Sequence, residues 1–347
     1  MHLRLNLKRH APNRLHPREA GGSVILMSAT TTAPNEPVLP DVKMHAVRPN
    51  EPVMATIVKN ERATVSKKTA SYIRQVEFDV AGTPLVGLCN PGQAIGLVVD
   101  GNDSNGKPHK PRLYSLSSPR DGIDGQGKVY SVTVKRSIDE HWDNGKLFLG
   151  VASNYLCDRQ IGDKIKVSGP NGKRFLLPAD PNNHDYMFFA TGTGIAPFRG
   201  MIIDLAKQKC TSKITLVMGA PHASDLLYHD FFLDMASKNP NFTYLTAISR
   251  EKQQDGHDQL YVQDRLRTNR DQLLAQISSD RNLFYVCGLS GMELGIFQQL
   301  ALMLQGSTLD QYIQCDAQAL RDIRHWKREM LHKEIRPTRR FLMEVYA

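Results

Sequence analysis

The sequence has little cysteine chemistry available to it. Its five cysteines, Cys89, Cys157, Cys210, Cys287 and Cys315, are odd in number, lie far apart and form no Cys-x-x-Cys pair. That pattern argues against a disulfide framework or a zinc site, and for a reducing compartment. It also argues against a cysteine-ligated iron–sulfur cluster within the chain. Long apolar runs are also missing, and no stretch approaches the ~20 continuous apolar residues that a membrane helix needs. Acid is missing from the start of the chain, where no Asp or Glu precedes Glu19. There is no internal repeat.

What is present is ample. A chain of 347 residues can build two domains with sizeable cores. A hydrophobic share of 41% and a charged share of 23% belong to a globular chain, not a disordered one. The net charge of +9 suits phosphates or an acidic protein partner. The basic residues carry no RNA- or DNA-binding signature, which argues against nucleic acid.

Residues 1–50, rich in Pro, Thr, Arg and Asn, read as a disordered or targeting tail. As a transit peptide the tail would direct the chain to a plastid; otherwise the expected location is the cytoplasm. Over 51–180, β-branched runs at 54–59, 72–80, 94–99, 128–135 and 164–168 alternate with Gly, Pro, Asn and Asp clusters, which predicts an antiparallel barrel. Over 181–347 the rhythm changes. Strands at 186–191, 214–219, 242–248, 283–287 and 341–346 alternate with helices over 198–209, 226–237, 262–277 and 292–304, which predicts a parallel sheet with helices on both faces.

Three segments carry candidate chemistry. In Ala190-Thr-Gly-Thr-Gly-Ile-Ala-Pro-Phe-Arg199, Gly192 and Gly194 permit a sharp turn and close approach of backbone to a ligand. Pro197 suits the first position of the helix that follows, whose N-terminus would favour an anion. In Lys110-Pro-Arg-Leu-Tyr-Ser115, Arg, Tyr and Ser can offer a guanidinium fork, an aromatic plate and a hydroxyl to one ligand. In Val286-Cys-Gly-Leu-Ser-Gly-Met-Glu293, a Cys ends a buried strand at the edge where open α/β sheets bind ligands. Singly, these also read as a plain turn, a half-exposed strand and a small core residue.

Together they do more. Asn105-Gly-Lys-Pro-His-Lys-Pro-Arg-Leu-Tyr-Ser115, Gly150-Val-Ala-Ser-Asn-Tyr-Leu-Cys-Asp158, Gly169-Pro-Asn-Gly-Lys173 and the Ala190–Arg199 segment are followed by Leu226-Leu-Tyr228, Ser249-Arg-Glu251 and Tyr261-Val-Gln-Asp-Arg265. Cys287-Gly-Leu-Ser-Gly-Met-Glu293 and Glu344-Val-Tyr346 complete the series. In order and spacing, from about residue 50 onward, this text resembles the plant-type ferredoxin–NADP reductases.

The resemblance implies an antiparallel β-barrel FAD domain over 51–180 followed by an α/β parallel-sheet NADP-binding domain over 181–347. It implies hydride exchange between NADP(H) and FAD, and single-electron exchange with ferredoxin or flavodoxin. Arg112, Leu113, Tyr114 and Ser115 would hold FAD, with Tyr114 against the isoalloxazine and Ser115 near its reactive nitrogen. Thr133, Val134 and Lys135 would continue that site, Lys135 reaching the nucleotide pyrophosphate. Backbone amides of Val151, Ala152 and Ser153 would meet the FAD pyrophosphate. Thr191 would face flavin and nicotinamide, with Ala220 and Pro221 along the nucleotide. Ser249, Arg250, Gln259 and Tyr261 would surround the adenosine and its 2′-phosphate, and Cys287, Gly288 and Leu289 the nicotinamide side. Ser115 and Glu344 would form a proton path, and Tyr346 would cover the flavin until nicotinamide displaces it. No metal is expected.

The sequence departs from that family at several places. Gln259 replaces a Lys or Arg on the 2′-phosphate, which weakens the preference for NADP over NAD. Ser137-Ile-Asp-Glu-His-Trp142 replaces the segment whose Tyr stacks on adenine, leaving Trp142 either to stack there or to sit in an exposed loop. Ala347 follows Tyr346, and residues 306–340 form a longer, more basic ending. Pro111 replaces a Leu beside Lys107 and Lys110, the expected dock of an acidic carrier. Two other functions fit the same residues. One is the reductase component of an oxygenase. The other is a nucleotide sensor without turnover, which would be expected to lack Ser115, Cys287 or Glu344; all three are present.

Overall fold

The computed structural model describes residues 36–66, 69 and 72–346, and in it the β-branched runs of the first half become antiparallel strands. They are β1 (Val53–Arg62), β2 (Ile73–Asp79), β3 (Ala94–Val98), β4 (Arg112–Ser115) and β5 (Val129–Lys135). A small hairpin, β6 (Ile138–Glu140) and β7 (Leu147–Leu149), leads to helix α1 (Val151–Cys157) and then β8 (Lys164–Asn171). The six-stranded sheet runs β4-β3-β8-β1-β2-β5. Period-two burial explains the curl. Ala55 and Ile57, Val76 and Phe78, Ile95 and Leu97, Val132 and Val134, and Ile165 and Val167 all turn inward to one core.

The barrel closes incompletely. Its end strands meet just past β4, where Leu116 bridges Val132 and Ser117 N–H donates to Ser131 O at 2.8 Å. No ladder joins β4 itself to β5. Residues 112–115 and 133–135 therefore flank a seam that no hydrogen-bond ladder closes.

The second half alternates as the sequence predicts. The elements are β9 (Asp185–Thr191), α2 (Ile195–Lys207), β10 (Ile214–Ala220), α3 (His229–Lys238), β11 (Phe242–Ile248), α4 (Asp264–Thr268), α5 (Arg270–Ile277), β12 (Asn282–Leu289) and α6 (Met292–Met303). After a short pair, β13 (Ile313–Cys315) and β14 (Ile335–Pro337), the final strand is β15 (Phe341–Tyr346). The five-stranded parallel sheet runs β11-β10-β9-β12-β15. Its central strands are buried on both faces, so they read as continuous apolar runs. Alternate residues split the core. Phe188 and Met218 pack with Phe198 and Ile202 of α2, while Phe189 and Val217 pack with Leu266, Ile277 and Phe297 of α4, α5 and α6.

Local boundaries differ from the sequence reading in four places. Helix α2 begins at Ile195, so Pro197 stands third in it; first-turn N–H groups lack intrahelical partners, and the missing donor costs nothing there either. The helix expected over 226–237 starts only at His229, because Leu226 and Leu227 are buried and Leu227 bridges to Thr64 of the barrel half. The helix expected over 262–277 is divided at Asn269. Of the expected tail, residues 36–50 are described and lie against the fold: Val47 is buried and exchanges hydrogen bonds with Gly169 at 2.9 and 2.8 Å. Residues 1–35 lie outside the described residues.

The two halves are joined along α2. At Gly200 an added Cβ would lie 2.3 Å from Ser118 O, so the absence of a side chain permits the contact. Arg199 donates to Ser117 O at 2.7 Å and lies over the rings of Tyr228 and Phe231. The Tyr228 and Thr133 hydroxyls hydrogen-bond at 2.6 Å, and Lys207 pairs with Asp121 at 2.6 Å. Tyr285 O–H donates to Leu176 O at 2.8 Å, and its ring packs against Phe175.

Candidate active site

The carboxyl edge of the parallel sheet is shaped by a tight turn and two close approaches at glycines. Gly192 takes φ +53° at the turn from β9. A Cβ on Gly194 would sit 2.1 Å from Cys287 O, and one on Gly288 would sit 2.1 Å from Thr191 Oγ1. Thr191 Oγ1 accepts the Leu289 N–H at 2.9 Å, which locks the ends of β9 and β12 together.

A cavity of about 430 Å³ opens above this lock. Lys135 reaches it from the barrel, and Thr191, Ala220, Pro221, Ser249, Tyr261 and Leu289 line it from the sheet. Asp225, Gln263 and Met292 also line it and had no role in the sequence reading. Gln263 and Met292 were within reach of that reading, since they lie in the Tyr261–Arg265 and Cys287–Glu293 segments; Asp225 enters through tertiary packing.

Cys287, whose carbonyl lies against Gly194, is 2% exposed. Burial, reinforced by the Glu344 carboxylate, pushes its thiol well above the ordinary range. Strand β15 pairs in parallel with β12, which sets Glu344 opposite Cys287 and Tyr346 opposite Leu289. Burial pushes the Glu344 carboxyl up to about 7, so at neutral pH it is shared between its charged and neutral forms. Tyr346 is anchored by its carbonyl, which accepts the Ser290 N–H at 2.9 Å, and its hydroxyl meets Thr193 Oγ1 at 2.8 Å. Although Tyr346 as a whole is 39% exposed, desolvation at its hydroxyl end raises that phenol to about 12. Ala347 lies outside the described residues.

The barrel seam collects the other expected group. Arg112 and Leu113 are exposed, and Tyr114 and Ser115 are half-buried. Burial raises the Tyr114 phenol to about 12. Across the seam, the Thr133 hydroxyl is already bonded to Tyr228, and the Val134 side chain lies in the barrel core. Ala152 and Ser153 are buried, and Ser153 Oγ accepts the Ser137 N–H at 3.1 Å. All four of these residues are buried. No side chain caps the first turn of α1. An unpaired seam with a guanidinium, an aromatic ring and an uncapped helix start suits a flat, phosphate-bearing ligand such as a flavin nucleotide. Trp142, at the tip of the β6–β7 hairpin, is fully exposed.

Ser249 and Arg250 follow β11, and their N–H groups donate to Ala220 O and Pro221 O at 3.0 Å each. Glu251 accepts the Ala223 N–H at 3.0 Å and meets His222 Nδ1 at 2.7 Å; these contacts hold its carboxyl below the usual range. Arg250 and Gln259 are exposed and stand outside the cavity lining. Lys107 and Lys110 are exposed in the turn before β4. Among the described residues no cluster suited to a metal ion occurs, and no helix is long and apolar enough to cross a membrane.

Comparison with known proteins agrees with this geometry. Residues 188–297 match a family model described as an oxidoreductase NAD-binding domain. The chain is 36% identical over 262 residues to a ferredoxin–NADP reductase of Spirulina sp., covering 74% of this chain and 88% of that protein. It is 38% identical over 255 residues to the chloroplastic leaf isozyme 1 of ferredoxin–NADP reductase from Oryza sativa subsp. indica, covering 72% and 69%. A solved ferredoxin–NADP+ reductase from Plasmodium falciparum superposes with a TM-score of 0.63 at 21% identity, over 86% of this chain and 97% of that one. At that identity the likeness speaks for the fold alone.

Proposed function

The chain belongs to the ferredoxin–NADP reductase family, and from that premise we propose that the dinucleotide enters the cavity at the carboxyl edge of the parallel sheet while FAD lies along the seam between β4 and β5. The protein is an FAD-dependent oxidoreductase acting between NADP(H) and ferredoxin; its relatives do not favour the oxygenase-component alternative. Bound FAD supplies the exchange between the two-electron chemistry of nicotinamide and the one-electron chemistry of the carrier.

The chain's own groups bind, orient and carry protons. The Arg112 guanidinium would take a phosphate by its fork and Tyr114 would lie against the flavin ring. The amides of Val151, Ala152 and Ser153 would meet the FAD pyrophosphate. Ser115 would hold a proton beside the reacting nitrogen, with Glu344 poised near neutrality as its exchange partner. Lys135 would reach the dinucleotide pyrophosphate. Ser249, Arg250 and Gln259 would read the 2′-phosphate and Tyr261 the adenosine. Cys287, Gly288 and Leu289 would shape the nicotinamide contact, and Tyr346 would shield the flavin until nicotinamide takes its place. The observation that carries this reading is the cavity into which Lys135 of one half and Thr191, Ser249 and Tyr261 of the other converge.

In this reading the FAD domain spans 51–180 and the NADP domain 181–347, with a tail over 1–50. Location follows the tail: cytoplasm, or plastid where the tail serves as a transit peptide. Lys107 and Lys110 would dock an acidic carrier, ferredoxin or flavodoxin, at the turn before β4. The test is direct. Purified protein should carry FAD in a one-to-one ratio, lose flavin absorbance on addition of NADPH, and reduce ferredoxin. Replacing both lysines by Glu should lower kcat/KM for ferredoxin in a salt-dependent way while sparing reduction of ferricyanide. Protein without flavin, or with no NADPH oxidation, would overturn the reading.

A further inference from the structure

Gln253 belongs to none of the segments described above, yet its side chain is the most connected in the loop after β11. The residue is 6% exposed. Its Oε1 accepts the Ile248 N–H at 3.0 Å. Its Nε2 donates to Ile248 O at 2.8 Å, Asp258 O at 3.1 Å and Glu251 O at 3.2 Å. An amide has two N–H donors, so three carbonyls share them. Their places in the chain are the point. Ile248 precedes Ser249, Glu251 follows Arg250, and Asp258 precedes Gln259. The backbone extends the tie, since Gln253 N–H donates to His257 O at 2.8 Å and Leu260 N–H to Ile248 O at 2.9 Å. Arg265, 3% exposed, closes the loop's other side by donating to Thr246 O at 2.8 Å and pairing with Asp255.

We propose that Gln253 is the positioning residue for nucleotide choice: its buried amide holds the two limbs of the 249–259 loop in the conformation that presents Ser249, Arg250 and Gln259 to a 2′-phosphate. The inference rests on the reading that this loop faces the adenosine end. Its physical basis is preorganisation. A loop ordered before binding loses little freedom on binding, whereas an unfastened loop must be ordered at the cost of affinity. A buried amide satisfied on every side does this with directional bonds that an apolar residue could not supply. Gln253 touches no substrate in this account; it acts through the residues on either side of it.

The test replaces the amide without changing its length. Gln253→Met should raise KM for NADPH by about tenfold, an affinity step of about 1.4 kcal/mol, while kcat at saturating NADPH stays within about twofold of the unmodified value. KM for NADH should barely move, because no 2′-phosphate is read. Calorimetric binding of 2′-phospho-AMP should weaken by the same factor as NADPH, and binding of AMP should not. Gln253→Glu keeps the acceptor for Ile248 N–H but turns oxygen toward three carbonyls, so it should lose at least as much. Equal losses for NADPH and NADH, or a lower melting temperature with both KM values intact, would reduce Gln253 to a packing residue and sink the proposal. If unmodified protein binds 2′-phospho-AMP no better than AMP, the underlying reading fails, and the proposal with it. Discrimination that is present in the unmodified protein and survives in Gln253→Met overturns the proposal alone.

Discussion

A thiol as buried as that of Cys287 stays protonated at neutral pH and is a poor nucleophile. Its proposed contribution is shape, set by Gly194 on one side and Gly288 next in the chain. Cys287→Ala should therefore slow flavin reduction at saturating NADPH, by up to about the 100-fold that a 1 Å misplacement produces, with little change in nucleotide affinity. Stopped-flow traces with an unchanged rate would make Cys287 a core residue only. Glu344 gives a pH prediction. Its folded pKa, about 7, lies above the ordinary 4.5, so the folded state keeps a proton that the unfolded state releases. Stability from this group is complete below about 4.5 and is lost as pH rises through about 7. Relative to Glu344→Gln, the unmodified protein should lose melting temperature across that window and run parallel above it. Gln259→Lys should tighten NADP by roughly 1 kcal/mol, the scale of an exposed charge-assisted contact. Salt should erode the gain, and NAD should be almost unaffected; equal changes for both nucleotides in titrations would place residue 259 away from the phosphate.

At the scale of elements, β15 carries two of the expected site residues and its register with β12 sets both. Tyr346→Ser removes the proposed shield and the bond to Thr193. NADP and NAD should both bind more tightly and the preference between them should shrink, since an aromatic plate contributes about 0.5–1.5 kcal/mol beyond area burial. Tyr346→Phe separates the ring from the hydroxyl and should leave most of the shielding in place. Titrations that show no change in either affinity or flavin spectrum for Tyr346→Ser would mean that another group covers the ring. The strands were readable because their signal is local: period-two burial in the barrel and continuous apolar runs in the parallel sheet. The start of α3 was not. Tyr228 takes φ +54°, a conformation non-glycine residues avoid, and it is held there by Thr133 and by Arg199 from other elements. Gln253 was equally hidden, because its partners are backbone atoms and backbone carries no sequence signature.

At the scale of the whole molecule, the contacts of α2 join two folds that the sequence presents as successive compositions. Arg199→Ala removes the bond to Ser117 O and the stacking on two rings. It should destabilise by roughly 1–3 kcal/mol and, because both halves share the contact, lower one common melting transition; two separated calorimetric transitions in the unmodified protein would refute the coupling. The partners across the two halves could not be paired from sequence, since Arg199 and Ser117 lie 82 positions apart and Tyr228 and Thr133 lie 95 apart. The unpaired seam between β4 and β5 has a consequence of a different kind. A barrel with no ladder between β4 and β5 lacks part of the pairing that would close it, and FAD lodged there, as proposed, would add contacts to the folded state alone. By mass action, free FAD at 1,000 times its dissociation constant would add about 4 kcal/mol to folding. The amount of intact protein in a cell would then track the supply of the vitamin from which FAD is made, and chains synthesised during scarcity would be the first to reach the proteases.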